Sequence, residues 1–125
     1  MSKESEGVNP RKMAIDKLKG HQLNYLRALA HPLKPVILIG QKGVTEMVVL
    51  SLEEALDHHE LIKVKFIENK AKADKRMMVE SIQKATSAHF VGMVGHIATL
   101  YRPHPKAAQR KIKLPKRDDA NQVNS

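Results

Sequence analysis

The chain of 125 residues contains no cysteine and no tryptophan, and only 3% of its residues are aromatic. The absence of cysteine excludes disulfide scaffolds, thiolate metal sites and cysteine nucleophiles. Hydrophobic residues nevertheless make up 42% of the chain and are mostly aliphatic. This length and composition predict one small domain with a single aliphatic core, flanked by polar tails.

Acidic residues and long apolar runs are also scarce. There are 13 Asp and Glu against 22 Lys and Arg, which gives a formal net charge of +9. An excess of this size indicates a polyanionic partner, either nucleic acid or an acidic membrane surface. No apolar run approaches the roughly 18 residues that cross a bilayer, and the N-terminus lacks the apolar core of a signal peptide. We therefore expect a soluble, cytoplasmic protein.

Hydrophobic periodicity predicts alternating helices and strands in the order αβαβαββ. Strand-helix-strand units favour parallel pairing, whereas the last two strands are predicted to form an antiparallel hairpin across Gly95 and His96. The predicted fold is therefore α/β (α+β two-layer), with three helices and a mixed four-stranded sheet. The predicted helices span 21–30, 45–58 and 71–87, and the predicted strands span 36–39, 61–67, 89–94 and 97–102.

The two ends of the chain differ in composition from its middle. Residues 1–18 are polar and weakly periodic, and we predict a flexible N-terminal extension there; residues 19–103 form the predicted domain and 104–125 a basic tail. From Arg102 to Arg117 there are seven Lys or Arg and no acid. Ile112 and Leu114 alternate with lysines, which predicts that the tail adds briefly to a sheet edge.

A glycine-containing loop joins the first predicted strand to the second helix, in the stretch VILIGQKGVTEMV from residue 36 to 48. Gly40 and Gly43 permit positive φ angles and remove side chains that would hold a ligand away. The loop leads into a helix N-terminus, where unpaired amides and the helix dipole favour an anion. Lys42 adds a positive charge, and Gln41 adds a donor and an acceptor. These features suit nucleic-acid phosphates, although an ordinary tight turn has the same G-x-x-G pattern.

Other nucleotide-binding patterns fit this loop poorly. A P-loop has four residues between its glycines and a Lys followed by Ser or Thr after the second glycine, whereas Lys42 precedes Gly43 here. A dinucleotide fingerprint would need one more glycine. In KH domains a G-x-x-G loop joins two helices, but here a strand enters it. Base stacking, as in RRM domains, has only two Phe and two Tyr available, so contacts to phosphates and 2′-hydroxyls are favoured.

Three blocks of the sequence resemble the bacterial YhbY family in the same order: LRALAHPLKPVILIGQKGVTEMVV, EEALDHHELIKVK and VGMVGHIATLYRP. This family is the stand-alone form of the CRM domain, which is named for chloroplast RNA splicing and ribosome maturation. The resemblance extends from about Leu18 to Pro115. It implies an RNA-binding domain related in fold to the C-terminal domain of bacterial translation initiation factor three. It also implies association with precursors of the large ribosomal subunit.

The resemblance further implies which residues contact RNA, because the family is taken to use its G-x-x-G loop and a neighbouring basic surface. We also expect the basic tail to extend the contact, since such dense like charges repel one another unless a polyanion neutralises them. The predicted RNA-binding residues are Gly40, Gln41, Lys42 and Gly43 in the loop, Arg27, Lys34, Lys63, Lys65 and Arg102 on the basic surface, and Lys111 and Lys113 in the tail.

A metal site and an enzymatic site are both disfavoured by the sequence. Adjacent His58 and His59 point in different directions on a helix, and no second ligand pair at i, i+4 appears near them or His31. Asp57 and Glu60 lack a recognisable nucleophile or metal arrangement, and we interpret them as capping and solvating a helix end. We expect no catalysis, no metal and no cofactor.

Two functional hypotheses remain, and the charge alone does not exclude DNA as the nucleic acid of the first. In the first, a monomeric RNA-binding protein associates with ribosomal RNA of the large-subunit precursor and assists ribosome assembly. In the second, the chain is a protein-interaction module that recruits an assembly partner, and the glycine loop is only a structural turn. Replacing Gln41 and Lys42 with Asp separates the hypotheses, because only the first one predicts lost RNA binding with an intact fold.

Overall fold

The computed structural model describes residues 17–67 and 71–115. Its helices and strands follow the predicted order αβαβαββ, and each predicted boundary lies within one residue of the observed one. A short 3-10 turn follows at Ala107–Gln109. The helices are α1 (Gly20–Ala30), α2 (Glu46–His59) and α3 (Lys72–Thr86), and the strands are β1 (Ile37–Ile39), β2 (Leu61–Phe66), β3 (His89–Val94) and β4 (Ile97–Tyr101).

The four strands form one mixed sheet, as predicted, and their order in the sheet is β1-β2-β4-β3. β1 pairs with β2 in parallel, and the other two pairings are antiparallel. The β3–β4 turn contains Gly95 with φ of +61°, and the Phe66 N–H donates to the carbonyl of His96 at 2.8 Å. We call the end of the sheet where β1 and β2 finish the loop end, and the opposite end, where β2 begins and β4 finishes, the tail end.

The main core lies between one face of the sheet and the helices α2 and α3. Alternation along β2 directs Ile62, Val64 and Phe66 to this face, as the sequence predicts. Leu52 and Leu56 of α2 pack against them, because residues four apart lie on the same side of a helix. The buried members of this core are Ile39, Leu52, Leu56, Ile62, Val64, Phe66, Val79, Ile82, Ala88, Ala98 and Leu100.

Helix α1 packs on the other face of the sheet. Leu61 and Tyr101 alternate with the main-core residues of β2 and β4, so they point to this second face. There they meet Leu26 and Ala30 of α1. Both strand residues lie at the tail end, so α1 covers that part of the face. Nearer the loop end, Leu38 and other side chains of the same face are exposed.

The described part of the tail, residues 104–115, does not add to the sheet, and that prediction is wrong. Residues 111–115 form no strand. Ile112 and Leu114 instead pack, partly buried, against the cluster under α1, which removes apolar surface from water. Most of the predicted N-terminal extension lies outside the described residues. Among the described helices, none combines the length and apolar character that a membrane span requires.

Candidate nucleic-acid interface

The glycine loop connects β1 to α2 at the loop end of the sheet. The N–H of Gly43 donates to the carbonyl of Gly40 at 3.0 Å and closes a tight turn. Gln41 and Lys42 occupy the two central positions of the turn and are exposed. The loop therefore presents two polar side chains and part of its backbone to solvent.

Helix α2 begins directly after this loop. Thr45 is its N-cap residue, and the Thr45 hydroxyl accepts a hydrogen bond from the Val48 N–H at 3.2 Å. Glu46 lies in the first turn, where a negative charge already complements the helix dipole. An incoming anion would compete with Glu46, so attraction of an anion to this end depends on the loop amides and Lys42 as well as on the helix.

The two glycines of the loop have different structural requirements. Gly43 has φ of +75°, a conformation that strains residues with a Cβ, so the turn itself requires glycine there. At Gly40 a Cβ would meet only the Ile67 side chain, at the ordinary contact distance of 3.6 Å. The fold does not need glycine at position 40. Close approach of a ligand to the backbone is a physical reason for having it.

Two of the predicted lysines lie on the α1 face of β2. Lys65 is exposed and pairs with Leu38, two residues before Gly40 on the neighbouring strand. Lys63 Nζ donates to the carbonyls of His31 at 3.3 Å and Leu33 at 3.1 Å. Lys63 therefore stabilises the C-terminus of α1 and the linker after it, while Lys65 presents its charge next to the loop.

Arg27 of α1 lies over an irregularity in β3. The Arg27 Nε donates to the carbonyl of Val91 at 3.1 Å, and its Nη1 donates to the side chain of Asn24 at 3.0 Å. The register of β3 shifts between Phe90 and Gly92, and a Cβ at Gly92 would meet Arg27 Nε at 3.2 Å. Arg27 thus lies on the rim of an open groove of about 450 Å³, lined also by His31, Lys63, Gly92, Met93, Val94 and Thr99.

The remaining exposed basic residues of the prediction lie at the tail end. Lys34 is in the linker that leads into β1, and Lys113 lies in the segment after β4. Lys111 Nζ donates to the carbonyl of His58 at the end of α2. β2 is six residues long, which separates the two ends of the sheet by about 20 Å. The predicted residues therefore lie at both ends of the sheet, with Lys63 between them.

Arg102 belongs to the interior, which corrects its predicted place on the RNA surface. Its side chain is only 2% exposed. Nη1 lies 2.8 Å from Glu53 Oε1 and 2.8 Å from the carbonyl of Thr86, and Nη2 lies 2.8 Å from Asp57 Oδ1. These bonds connect the end of β4 to both α2 and α3. The guanidinium is committed to protein acceptors, so we exclude it from the candidate interface.

A model of the CRS1 / YhbY (CRM) domain matches residues 18–102, which includes every helix and strand from α1 to β4. The chain belongs to this family. The match ends at Arg102, so the segment 103–115, which we call the C-terminal segment, extends the described structure beyond the matched CRM domain.

Relatives and a solved structure agree with this assignment. An RNA-binding protein of Haemophilus influenzae is 42% identical over 100 residues, covering 80% of this chain and 97% of the relative. The probable RNA-binding protein YqeI of Bacillus subtilis is 33% identical over 98 residues, covering 78% of this chain and 99% of the relative. The solution structure of a hypothetical Staphylococcus aureus protein matches with a TM-score of 0.67 and 33% identity, covering 79% of this chain and all of that one.

Glu60 is the residue of this CRM domain whose role the sequence interpretation missed. The sequence predicts that it caps and solvates a helix end, but it is 2% exposed. It follows α2 with φ of +65°, in a backbone region where glycine is the usual residue. The sequence signal that could have indicated its burial is its position, directly after a helix and before an apolar strand. Its acidity, however, suggested solvent, because buried carboxylates are rare.

The electrostatic effect of this buried carboxylate reaches Tyr101. Burial and, second, the negative charge of Glu60 raise the pKa of the Tyr101 phenol to about 12. The Tyr101 ring also stacks on His89, with ring centroids 6.1 Å apart.

Across residues 17–67 and 71–115, no three His, Cys, Asp or Glu side chains are grouped as metal ligands.

Proposed function

We propose that this CRM domain binds RNA at the loop end of its sheet. The observation that carries the proposal is Gly40, whose lack of a side chain the fold does not require. A phosphate that approaches the loop backbone gives that glycine a purpose. Exposed Lys42 and Lys65 lie on and beside the loop and add positive charge. The RNA-binding names of the relatives support the same conclusion.

The RNA is held mainly through its sugar-phosphate backbone. Phosphate contacts by lysines release counterions, so affinity falls by about 0.7 to 0.9 log units per log unit of salt for each phosphate neutralised. Contacts to 2′-hydroxyls then distinguish RNA from DNA. Stacking contributes less, since the half-exposed aromatic side chains Tyr25 and Phe90 belong to α1 and β3, away from the loop.

Ribosomal RNA in the precursor of the large subunit is the target that we propose, and assistance in ribosome assembly is the proposed role. The support is the resemblance of the three sequence blocks to the YhbY family. The role requires binding and release of RNA, and no covalent step.

A binding titration with a labelled, structured RNA tests the RNA proposal. We expect Gln41→Asp combined with Lys42→Asp to lower affinity at least tenfold with an unchanged melting temperature, since three units of charge become unfavourable at the contact. Ser81→Asp combined with Lys84→Asp is the matched control, because both residues are exposed on α3 and the charge change is the same. Equal losses in the two variants would contradict a contact at the loop. Competition with duplex DNA measures the preference for RNA.

Sedimentation of a cell lysate through sucrose tests the proposed target. We expect the native chain to migrate with large-subunit precursors at low salt and to be released at high salt, and the loop variant to remain at the top. If the native chain remains at the top at every salt concentration while it binds RNA in the titration, the ribosomal target is wrong and RNA binding stands.

A protein-interaction module is the second candidate function, and one observation favours it. Leu38 of the edge strand β1 and Met47 of α2 are exposed, at 60% and 71%, and line the same open groove. In that case the loop variant would retain its partner and native RNA affinity would be negligible. The titration above therefore decides between the two candidates.

A further inference from the structure

The C-terminal segment is folded onto the domain instead of leaving it as a free tail. The side-chain amide of Gln22 in α1 donates to the carbonyl of Pro115 at 3.0 Å. Ile112 and Leu114 pack against the cluster under α1. Arg110 Nε donates to the carbonyl of His104 at 2.7 Å, within the segment itself. The segment thus has a defined path across the tail end of the sheet.

The carboxylate of Glu60 is the main polar anchor of this path. Its Oε2 accepts the N–H of His104 at 3.0 Å, and its Oε1 accepts the N–H groups of Lys111 at 3.1 Å and Ile112 at 3.0 Å. The partners are 44 to 52 residues away in sequence. Three backbone donors to one ionised carboxylate form strong, charge-assisted bonds, and they compensate for its burial.

Because Glu60 is buried, the exposed charges of the C-terminal segment are those of its basic side chains. Lys106, Lys111 and Lys113 are exposed, and Arg110 is half-buried. The nearby acids Glu53 and Asp57 share the single cation of Arg102 and are 32% and 49% exposed, so the four basic side chains of the segment face one net acidic charge. The tail end therefore presents a fixed positive surface about 20 Å from the glycine loop.

We propose that this surface is a second RNA contact and that Glu60 is the residue that positions it, so that one folded RNA touches both ends of the sheet at once. The proposal rests on the RNA-binding function proposed above. Because the segment is already held in place, RNA binding does not have to pay the entropy cost of ordering it, and this favours affinity. The segment and its anchor thereby extend the footprint beyond the residues that match the CRM family model.

A charge deletion on the docked segment tests the contact. Lys113→Ala is expected to lower RNA affinity several-fold and to reduce the salt slope by about 0.7 to 0.9. Lys84→Ala is the matched control, because Lys84 is also exposed near the tail end but lies on α3, on the other face of the sheet. We expect Lys84→Ala to leave the slope unchanged. Identical slopes for the native chain and both variants would overturn the second contact.

A Glu60→Gly variant tests the positioning role. Glycine accommodates the positive φ, so the substitution removes the carboxylate while relieving backbone strain. We expect the amides of His104, Lys111 and Ile112 to exchange faster with solvent, while amides paired between β2 and β4 keep their protection. Retained protection at the three amides would overturn the anchoring role of Glu60.

The sign of the affinity change in Glu60→Gly separates positioning from simple electrostatics. Removing a negative charge makes the protein more positive, which alone strengthens binding to RNA. Loss of the anchor instead weakens binding, because the segment must be ordered when RNA binds. We expect weaker binding; equal or tighter binding would contradict the positioning role.

RNA titrations of the native chain, the loop variant and the tail-end variants distinguish failure of the second contact from failure of the proposed RNA-binding function. If the native chain does not bind RNA, the proposed function fails, and the second contact fails with it. If the native chain binds RNA and only the Gln41→Asp, Lys42→Asp variant loses affinity, the loop contact stands and the second contact is wrong.

Discussion

The loop end and the tail end of the sheet both expose basic residues, but they are built in different ways. At the loop end a four-residue turn from Gly40 to Gly43 presents Lys42, whose ammonium has no acceptor among the described residues. At the tail end, buried Glu60 fixes the backbone of the C-terminal segment, and buried Arg102 connects β4 to two helices. The first surface depends on local backbone geometry, and the second depends on contacts between residues far apart in sequence.

This difference predicts where substitutions will act. At the loop end, changes to exposed side chains should alter RNA affinity with little effect on stability. At the tail end, changes to the buried residues should alter stability and the position of the segment, and affinity only as a consequence. The following predictions test this contrast, from the largest expected effect to the smallest.

The largest expected effect is the loss of stability in Arg102→Ala. The substitution leaves Glu53, Asp57 and the carbonyl of Thr86 without their shared cation. Breaking such a buried pair costs about 3 to 5 kcal/mol, and the partial exposure of both carboxylates favours the lower value. Urea unfolding measures the change. Lys34→Ala is the control, since Lys34 is exposed; a loss below about 1 kcal/mol for Arg102→Ala would contradict the interior role.

High pH should weaken the tail end through Tyr101. Its pKa is raised from 10.0 to about 12 in the folded protein, so folding favours the neutral phenol. This stabilisation is fully present below pH 10 and is lost as the pH rises towards 12, by roughly 1 to 3 kcal/mol. Tyrosinate absorbance in a Tyr25→Phe background follows Tyr101 alone. Glu60→Gly should lower the Tyr101 pKa, and an unchanged value would contradict the electrostatic contribution of Glu60.

The two loop glycines should respond differently to alanine. Gly43→Ala should reduce the free energy of unfolding by about 1 to 2 kcal/mol, because of the positive φ at this position. Gly40→Ala should reduce the free energy of unfolding much less than Gly43→Ala does, since the added Cβ would lie at an ordinary contact distance from the Ile67 side chain. RNA titration should show the reverse for the folded proteins, with a clear loss of affinity for Gly40→Ala. Native affinity in Gly40→Ala would remove the main support for backbone approach at the loop.

Two exposed lysines give the smallest expected stability changes. Lys111→Ala should lower the free energy of unfolding by about 0.3 to 1 kcal/mol, because Lys111 donates to a carbonyl at the end of α2. Lys42→Ala should leave stability unchanged and reduce the salt slope of RNA binding by about 0.7 to 0.9. Chemical unfolding and the salt titration measure the two effects. A stability loss at Lys42 equal to that at Lys111 would contradict the contrast between the ends.

Most of the fold could be predicted from the sequence, because its signals are local. Alternation of Ile62, Val64 and Phe66 with lysines marks β2, and the turn residues Gly43 and Gly95 have the positive φ angles that glycine suggests. Alternation of Ile112 and Leu114 with lysines is a local signal too, and it led to the wrong prediction of a strand. A period of two is typical of a strand, but here it reflects burial of an irregular segment against α1.

The tail end could not be predicted because its chemistry depends on tertiary contacts. A basic residue after a strand reads as exposed, and nothing local indicates that Arg102 meets Glu53 and Asp57, 49 and 45 residues earlier. Glu60 likewise gains its role from amides more than 40 residues away. The loop residues Gln41 and Lys42 lie where the sequence predicts, and their contact with RNA stays a prediction.

The most direct test of the central claim is a map of amide chemical-shift changes when structured RNA is added to nitrogen-labelled protein. The two-ended account predicts changes at residues 40–43 and 106–113, and none at the exposed side of α3 around Ser81 and Lys84. Changes confined to the loop would contradict the second contact. Changes centred on α3, with neither end affected, would contradict the account as a whole.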